Sequence, residues 1–383
     1  MSKWKEYIFS DFVLVNPTVS LKKDEAISFV EMKDLEDGKR YCEPSQERMP
    51  SGGSRFQERD TLFARITPCL ENGKICQVKN LKNGIGLGST EFHVFRGKDK
   101  VSDTDFVYYL SRWTDVRDHA EINLDGTSGR QRVPKQAFDD LILTLPSLPE
   151  QKAIASILSS LDDKIDLLHR QNATLEKMAE TLFRQWFVEE AKDEWKVEKL
   201  ADEFDFTMGA SPPGESYNED GTGIPMYQGN ADFGFRFPSN RVFTTDPKRF
   251  AKKNDTLISV RAPVGEQNMA NEKCCIGRGV AAFSYKKDNS FYSYTYYKIK
   301  SLMDDIKQFN ETGTIFGSIS KSDLEGLDIV RPDEETILRF QNLAKPIDDK
   351  IELNETQIRT LTTLRNTLLP KLMSGEISVK TKG

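Results

Sequence analysis

The chain has 383 residues, beyond the roughly 250 to 300 at which a single hydrophobic core stops growing, so it divides into more than one unit. Hydrophobic residues at 37% and charged residues at 30% exclude a chain disordered throughout. The formal charge of −6 excludes a strongly basic nucleic-acid glove, yet it is unevenly placed: residues 146–194 carry −4, whereas 1–145 and 195–331 carry −1 each.

In chain order, residues 1–146 read as a mixed α+β unit. A strand-like run over 61–66 (Thr-Leu-Phe-Ala-Arg-Ile) and a helical stretch near 103–120 are separated by long irregular loops, for example 41–57. Residues 147–191 form a long helix that opens on Ser147, with Pro149 tolerated in its first turn and Glu150 placed to close a capping box. Steps of four and three from Ile154 give Leu158, Leu161, Ile165, Leu168, Asn172, Leu175, Ala179, Leu182 and Trp186, a heptad seam broken only by the asparagine. Residues 192–331 are a second α+β unit, with a strand-like run over 255–260 and a helical stretch near 291–308. Residues 332–383 hold a second seam: Phe340, Ala344, Ile347, Ile351, Asn354, Ile358, Leu361, Arg365, Leu368 and Leu372, ending at Ser374-Gly375. Pro346 is expected to kink this helix or delay its start.

The second half repeats the first. Trp4-Lys5 recurs as Trp195-Lys196, Asp60-Thr61-Leu62 as Asp255-Thr256-Leu257, Pro68 as Pro263, Gly88 and Phe92 as Gly279 and Phe283, and Asp162-Asp163-Lys164-Ile165 as Asp348-Asp349-Lys350-Ile351. Five matches in one order imply a tandem duplication. A helix of about 40 residues is about 60 Å long, more than a small domain is wide, so the two seams are expected to pair with each other rather than with their own globular units. The second globular unit lies between them in sequence, which favours antiparallel pairing. The expected fold is therefore α+β, with two pseudo-two-fold-related globular units separated by an antiparallel coiled coil. No run approaches the ~20 apolar residues of a membrane helix, and the opening MSKWKEYIFSDF is charged, so a cytoplasmic protein with no membrane partner is expected. The five cysteines include no CxxC pair and read as reduced thiols.

The duplicated layout, the phrase LPSLPEQKAIASILSSLDDKIDLLHRQNATLEKMAETLFRQWFVE and the later LRNTLLPKLMSGEI resemble the specificity subunits of Type I restriction-modification systems. GGSRFQERDTLFARITPCLENGK followed by GLGSTEF is similar to one class of target recognition domain in that family. The second copy departs from the family pattern in RPDEETILRF, where a Pro-Glu-Gln helix opening is usual. The resemblance implies that each globular unit reads one half of a split sequence in double-stranded DNA. It further implies that the paired helices act as a ruler and dock two methyltransferase subunits, which restriction subunits then join. S-adenosylmethionine, ATP and Mg are then expected on those partners and no cofactor on this chain. Pseudo-two-fold units on one face of B-DNA would read half-sites about 10 base pairs apart. Two other readings remain open: the specificity chain of a related methylase or Type IIB-like system, and a coiled-coil scaffold that never touches DNA.

If the chain reads DNA, arginine suits guanine, Asn and Gln suit adenine, and other cations set position on phosphate. The loop Gly126-Thr127-Ser128-Gly129-Arg130-Gln131-Arg132 combines backbone freedom with Arg130, Gln131 and Arg132, and Ser51-Gly52-Gly53-Ser54-Arg55-Phe56 adds Arg55. The parallel loop from Thr312 to Ser318 has no cation and is expected to be structural. In the second unit the candidates are Gln228, Asn230, Arg261 and the cluster Lys248, Arg249, Lys252 and Lys253, which would otherwise be a solvated face. Asp162, Asp163, Asp166 and Glu176 on the first long helix are expected to face partner subunits, the bland alternative being solubility. Enzymatic readings fail on pattern. Gly84-Ile85-Gly86-Leu87-Gly88 leads into strand-like STEFHVF where a nucleotide loop needs a helix, Asp140 with Glu150 and Lys152 opens a long helix, and His93, His119 and His169 are isolated. No catalytic or metal-ligating residue is therefore assigned.

Overall fold

The computed structural model describes residues 4–21, 24–127, 129–312 and 318–379. They form two compact units, Met1–His169 with Thr356–Gly383, and Arg170–Glu355. Both long helices, Leu148–Arg184 and Glu334–Met373, cross this division, so each unit holds one globular part and a segment of each helix.

In the first unit an antiparallel ribbon of Lys5–Ile8 with Ile142–Leu145 closes the globular part beside the helix. A five-stranded sheet follows the order Val13–Val15, Phe92–Gly97, Thr61–Ala64, Ile75–Val78, Tyr41–Cys42. A four-stranded sheet has the order Gln46–Arg48, Ile27–Val30, Ile85–Gly88, Ser54–Gln57. Thr61–Ala64 is buried at every position, which is why it reads as an unbroken apolar run rather than an alternating one. The helix Thr104–Arg112 starts at Asp103, whose carboxylate accepts from the backbone N–H groups of Asp105 and Phe106, both at 3.0 Å.

The second unit repeats this plan. Lys196–Lys199 pairs with Asp328–Arg331, and a sheet of Phe204–Met208, Val280–Tyr285, Thr256–Ser259 and Gln267–Met269 reproduces the order of the first four strands above. The parallel pair Ile27–Val30 with Ile85–Gly88 is matched by Ile224–Tyr227 with Cys274–Ile276. The duplication read from sequence is thus a duplicated topology, with one match corrected. Phe95 lies opposite Thr61 and Phe283 opposite Thr256, so Phe95, not Phe92, is the counterpart of Phe283; likewise the Arg65 and Val260 N–H groups donate to the carbonyls of Glu91 and Gly279, so Glu91, not Gly88, is the counterpart of Gly279. The first unit carries a longer connection ahead of this strand, including the turn Lys82–Gly84, and that shifts the offset.

The helical seams hold: none of the twenty positions named above is exposed. Within each unit the two helices run antiparallel. In the first, Asp162 meets Arg365 while Ile165 and Leu168 cluster with Ile358 and Leu361. In the second, Asn172 meets Asn354 while Phe183 meets Phe340. The expectation that the seams pair only with each other is corrected at both ends. Ile154, Leu158 and Leu372 belong to the first globular core, and Ala179, Phe183, Phe187 and Phe340 to the second. Burial there follows 179, 183 and 187, a spacing of four, because the helix faces a domain core and not a single partner helix. Pro346 does not delay the second helix, which begins twelve residues earlier at Glu334. Asp333 caps it, accepting from the Thr336 N–H at 2.9 Å while Lys192 and Trp195 donate to its other oxygen; these donors hold its carboxyl well below the usual range.

Candidate nucleic-acid interface

In the first unit three loops are linked in a row. Gly53 lies against the strand end at Gly88, where an added Cβ would come within 2.3 Å of the Gly88 carbonyl oxygen. The chain then passes through Ser89 and Thr90 to Glu91, whose carbonyl accepts from the Arg65 N–H at 3.0 Å. Glu91 grips Arg132 in two-pronged fashion, with Nε 2.9 Å and Nη2 2.7 Å from its two oxygens, and this guanidinium keeps the Glu91 carboxyl below its ordinary pKa. The hairpin 125–132 is closed by reciprocal backbone bonds between Asp125 and Arg132 and is pinned to the sheet through Thr67, whose N–H donates to the Gln131 carbonyl at 3.0 Å. Arg132 therefore braces the hairpin through Glu91 while 42% of its side chain stays exposed. Arg130 is exposed and Gln131 half-buried beside it, while Ser128 lies outside the described residues. Arg55 is exposed on the strand Ser54–Gln57, which joins it to the same row.

In the second unit the equivalent row is built from backbone packed without room for side chains. A Cβ on Gly209 would meet the Gly277 carbonyl oxygen at 2.1 Å, and one on Gly279 would meet that of Gln228 at 2.2 Å. Gly277 N–H donates to the Tyr227 carbonyl at 2.8 Å, and Arg278 N–H reaches Ser211 Oγ at 3.3 Å. Between the two buried glycines Arg278 is exposed, next to the exposed Gln228 and the half-buried Asn230. Gln228 is fixed by its N–H donating to Asp232 at 2.9 Å, and Asp232 in turn holds Arg241 at 2.7 Å. Arg261 is exposed and bridges Ser318, as Ile66 bridges Arg132 in the first unit. Residues 313–317, the counterpart of the hairpin tip, lie outside the described residues. All four cations of the cluster 248–253 are exposed; Lys248 pairs with Asp246 and Lys253 with Glu352 on the second helix, both at 2.7 Å.

Residues 52–177 and 192–363 match the family model described as the Type I restriction modification DNA specificity domain. The chain belongs to this family of specificity subunits. It is 29% identical to a putative type I restriction enzyme MjaX specificity subunit of Methanocaldococcus jannaschii, over 84% of this chain and 79% of that protein. It is 24% identical to the type I restriction enzyme HindI specificity subunit of Haemophilus influenzae, over 98% of this chain and all of the relative. The Type I restriction-modification S subunit of M. genitalium has the same fold, with a TM-score of 0.60 at 17% identity, covering 97% of this chain and 96% of that one. Both matched segments of this specificity subunit contain one of the loop rows described above.

The acidic residues of the first long helix are placed differently from expectation. Asp162 is 3% exposed, pairs with Arg365 at 2.7 Å and accepts from Tyr109 Oη at 2.6 Å, so it has no surface to offer a partner. Glu176 reaches Arg236 at 3.5 Å and Lys300 at 3.0 Å. Asp163 accepts from Tyr41 Oη at 3.0 Å, and Asp166 lies 3.4 Å from Lys79. All four touch their own globular part, but Asp163 keeps 59% of its side chain exposed. Arg278, Arg40, Arg236, Tyr109 and Tyr297 were not singled out from sequence, although Gly277-Arg278-Gly279 and the paired tyrosines at 108–109 and 296–297 carried the signal. His93 is a core residue: Asn16 donates to its Nδ1 at 3.2 Å, its Nε2 donates to the Val133 carbonyl at 2.8 Å, and burial lowers its pKa to about 4. Among the described residues no cluster of three or more His, Cys, Asp or Glu could hold a metal ion, and no helix is long and apolar enough to cross a membrane.

Proposed function

We propose that this specificity subunit reads a gapped, bipartite sequence in double-stranded DNA, one half-site per globular part, and acts in the cytoplasm without catalysing a reaction itself. Arg130, Gln131 and Arg55 are the first unit's contacts, with Gln228, Asn230, Arg278 and Arg261 in the second and Arg249 and Lys252 on phosphate. The observation that carries this reading is that each of the two matched domains holds a row of loops on braced backbone that presents exposed arginine side chains, Arg130 and Arg55 in one and Arg278 and Arg261 in the other. Two methyltransferase subunits dock on the long helices and restriction subunits join through them, bringing S-adenosylmethionine, ATP and Mg. Asp162 and Glu176 are engaged internally, so docking falls to the exposed Asp163 and the large apolar side chains exposed on both helices, among them Ile157, Leu167, Met178, Leu343, Leu353 and Leu364.

The test is co-expression with the adjacent methyltransferase gene in a methylation-free host, followed by genome-wide methylation mapping. A gapped motif is expected. A continuous short motif, or none despite a folded complex and an active methyltransferase, overturns the reading.

A further inference from the structure

The contacts that hold each globular part to its helices are themselves duplicated. The carbonyl of Arg40 accepts from Gln77 N–H at 2.7 Å, that of Arg236 from Met269 N–H at 2.9 Å, and Gln77 and Met269 pair with the matched residues Thr61 and Thr256. Arg40 and Arg236 are therefore equivalent. Tyr109 and Tyr297 correspond in the same way, since each donates to the first aspartate of the repeated Asp-Asp-Lys-Ile: Asp162 at 2.6 Å and Asp348 at 3.1 Å. Arg236 is 1% exposed, bonds Asp348 at 2.6 Å and Tyr297 Oη at 3.1 Å, and lies 4.0 Å from the Tyr296 ring centre. Arg40 pairs with Asp105 at 3.0 Å and approaches Asp163 at 3.6 Å, while Arg365 takes Asp162 and donates to the Gly38 carbonyl at 2.7 Å.

Adhesion alone does not call for this chemistry. Buried ion pairs are on average no more stabilising than apolar side chains of the same volume. The second network even leaves Arg236 Nε and Asp348 Oδ2 buried without a hydrogen bond. What such a network provides is direction: an apolar contact tolerates sliding, whereas a guanidinium between a carboxylate and a phenol has one satisfied arrangement. Loops that read base edges must be held within tenths of an ångström of their place. We infer that the Arg40–Tyr109–Asp162–Arg365 and Arg236–Tyr297–Asp348 networks are positioning devices, which fix each reading domain on its own helical segments and so restrict the spacer the subunit accepts. This rests on the bipartite reading above.

The test uses the full chain in complex with its methyltransferase subunit and a set of duplexes carrying both half-sites with spacers one and two base pairs shorter and longer than the mapped one. Tyr297→Phe removes two hydrogen bonds without emptying the core. Ile299→Val, buried in the same core and outside the network, serves as the variant of comparable stability loss. Discrimination between the mapped spacer and its one-base-pair neighbours falls about tenfold in Tyr297→Phe, with half-site preference unchanged, and stays at wild-type level in Ile299→Val. Full discrimination in Tyr297→Phe, at a melting temperature no higher than that of Ile299→Val, overturns the inference and leaves the network merely structural. Absence of any gapped motif in the wild-type complex refutes the underlying reading instead.

Discussion

Replacing Asp162 with Asn tests the first of these networks at the level of stability. The substitution keeps side-chain volume, so no cavity contributes; it removes the charge and turns one of the two accepting oxygens into an N–H donor, which then faces Arg365. Both side chains of the Asp162–Arg365 pair are almost wholly buried, at 2% and 6% exposure, so the guanidinium that remains has little access to water. Breaking a buried pair by removing one partner costs about 3–5 kcal/mol. Arg365 keeps its bond to the Gly38 carbonyl and two to Asn366, and an amide oxygen still accepts from Tyr109, which places the loss at the lower end, about 3 kcal/mol. Asp162→Leu combined with Arg365→Met removes both charges but leaves the buried Tyr109 hydroxyl without its acceptor, so it ends about 1–3 kcal/mol below wild type, far short of the two single losses added. Guanidinium titration of native-state hydrogen exchange at the amides of Thr104–Arg112 confines the measurement to the first unit. A loss below about 1 kcal/mol for Asp162→Asn, or a double variant as unstable as the two singles added, would refute the argument.

His93 gives a pH prediction. Its folded pKa, lowered to about 4, lies below the unfolded value of about 6.5, so the neutral ring's contribution is complete above pH 6.5 and is lost as pH falls toward 4. Up to about 3 kcal/mol of the first unit's stability should disappear across that window, and His93→Gln should flatten the profile between pH 6.5 and 4. Arg130→Ala and Arg278→Ala should each lower methylation of the cognate sequence while relaxing preference in one half-site only, a loss of about 1–3 kcal/mol in competition binding. Lys252→Ala should instead weaken all sequences alike and reduce the salt slope of binding by about one. Gly279→Ala, whose methyl group would meet the Gln228 carbonyl oxygen at 2.2 Å, should abolish reading of the second half-site and leave the first intact, as methylation of single-half-site variants will report.

The duplication, both helices and the α+β class were legible because each rests on local signals: repeated short phrases, a seven-residue apolar period and turn residues. The candidate site was legible only in part. Arg130 and Gln131 stand out because they follow Gly126 and Gly129, and the structure leaves Arg130 exposed and Gln131 half-buried beside it. Arg132 looks identical in sequence, yet Glu91, more than forty residues away, claims its charge. Arg278 was hidden for the opposite reason, since Gly277 and Gly279 read as an ordinary turn until their contacts with Gly209 and Gln228 show that the loop is built to present one side chain. The acidic residues of the first helix misled because helical periodicity gives the face but not what covers it. Asp162 falls beside the seam, and its partners Arg365 and Tyr109 come from distant sequence.

The polar residues within the seams follow the same logic as the networks beside them. Two apolar stripes of Ile and Leu pack nearly as well after a slip of one heptad, which moves a helix about 10 Å along its neighbour. In the second unit Asn354 Nδ2 donates to Asn172 Oδ1 at 2.8 Å, and Asn172 Nδ2 donates to Glu355 at 2.7 Å, with both asparagines fully buried. A slip would leave two buried amides facing apolar side chains, at about 1–3 kcal/mol each. That penalty matches a large share of the 5–15 kcal/mol by which a domain is stable at all. The slipped register is thereby excluded by two side chains, while the aligned one gains little from them. On the proposed bipartite reading the helix pair needs a single register more than it needs additional stability, and the Asn172–Asn354 layer supplies that register.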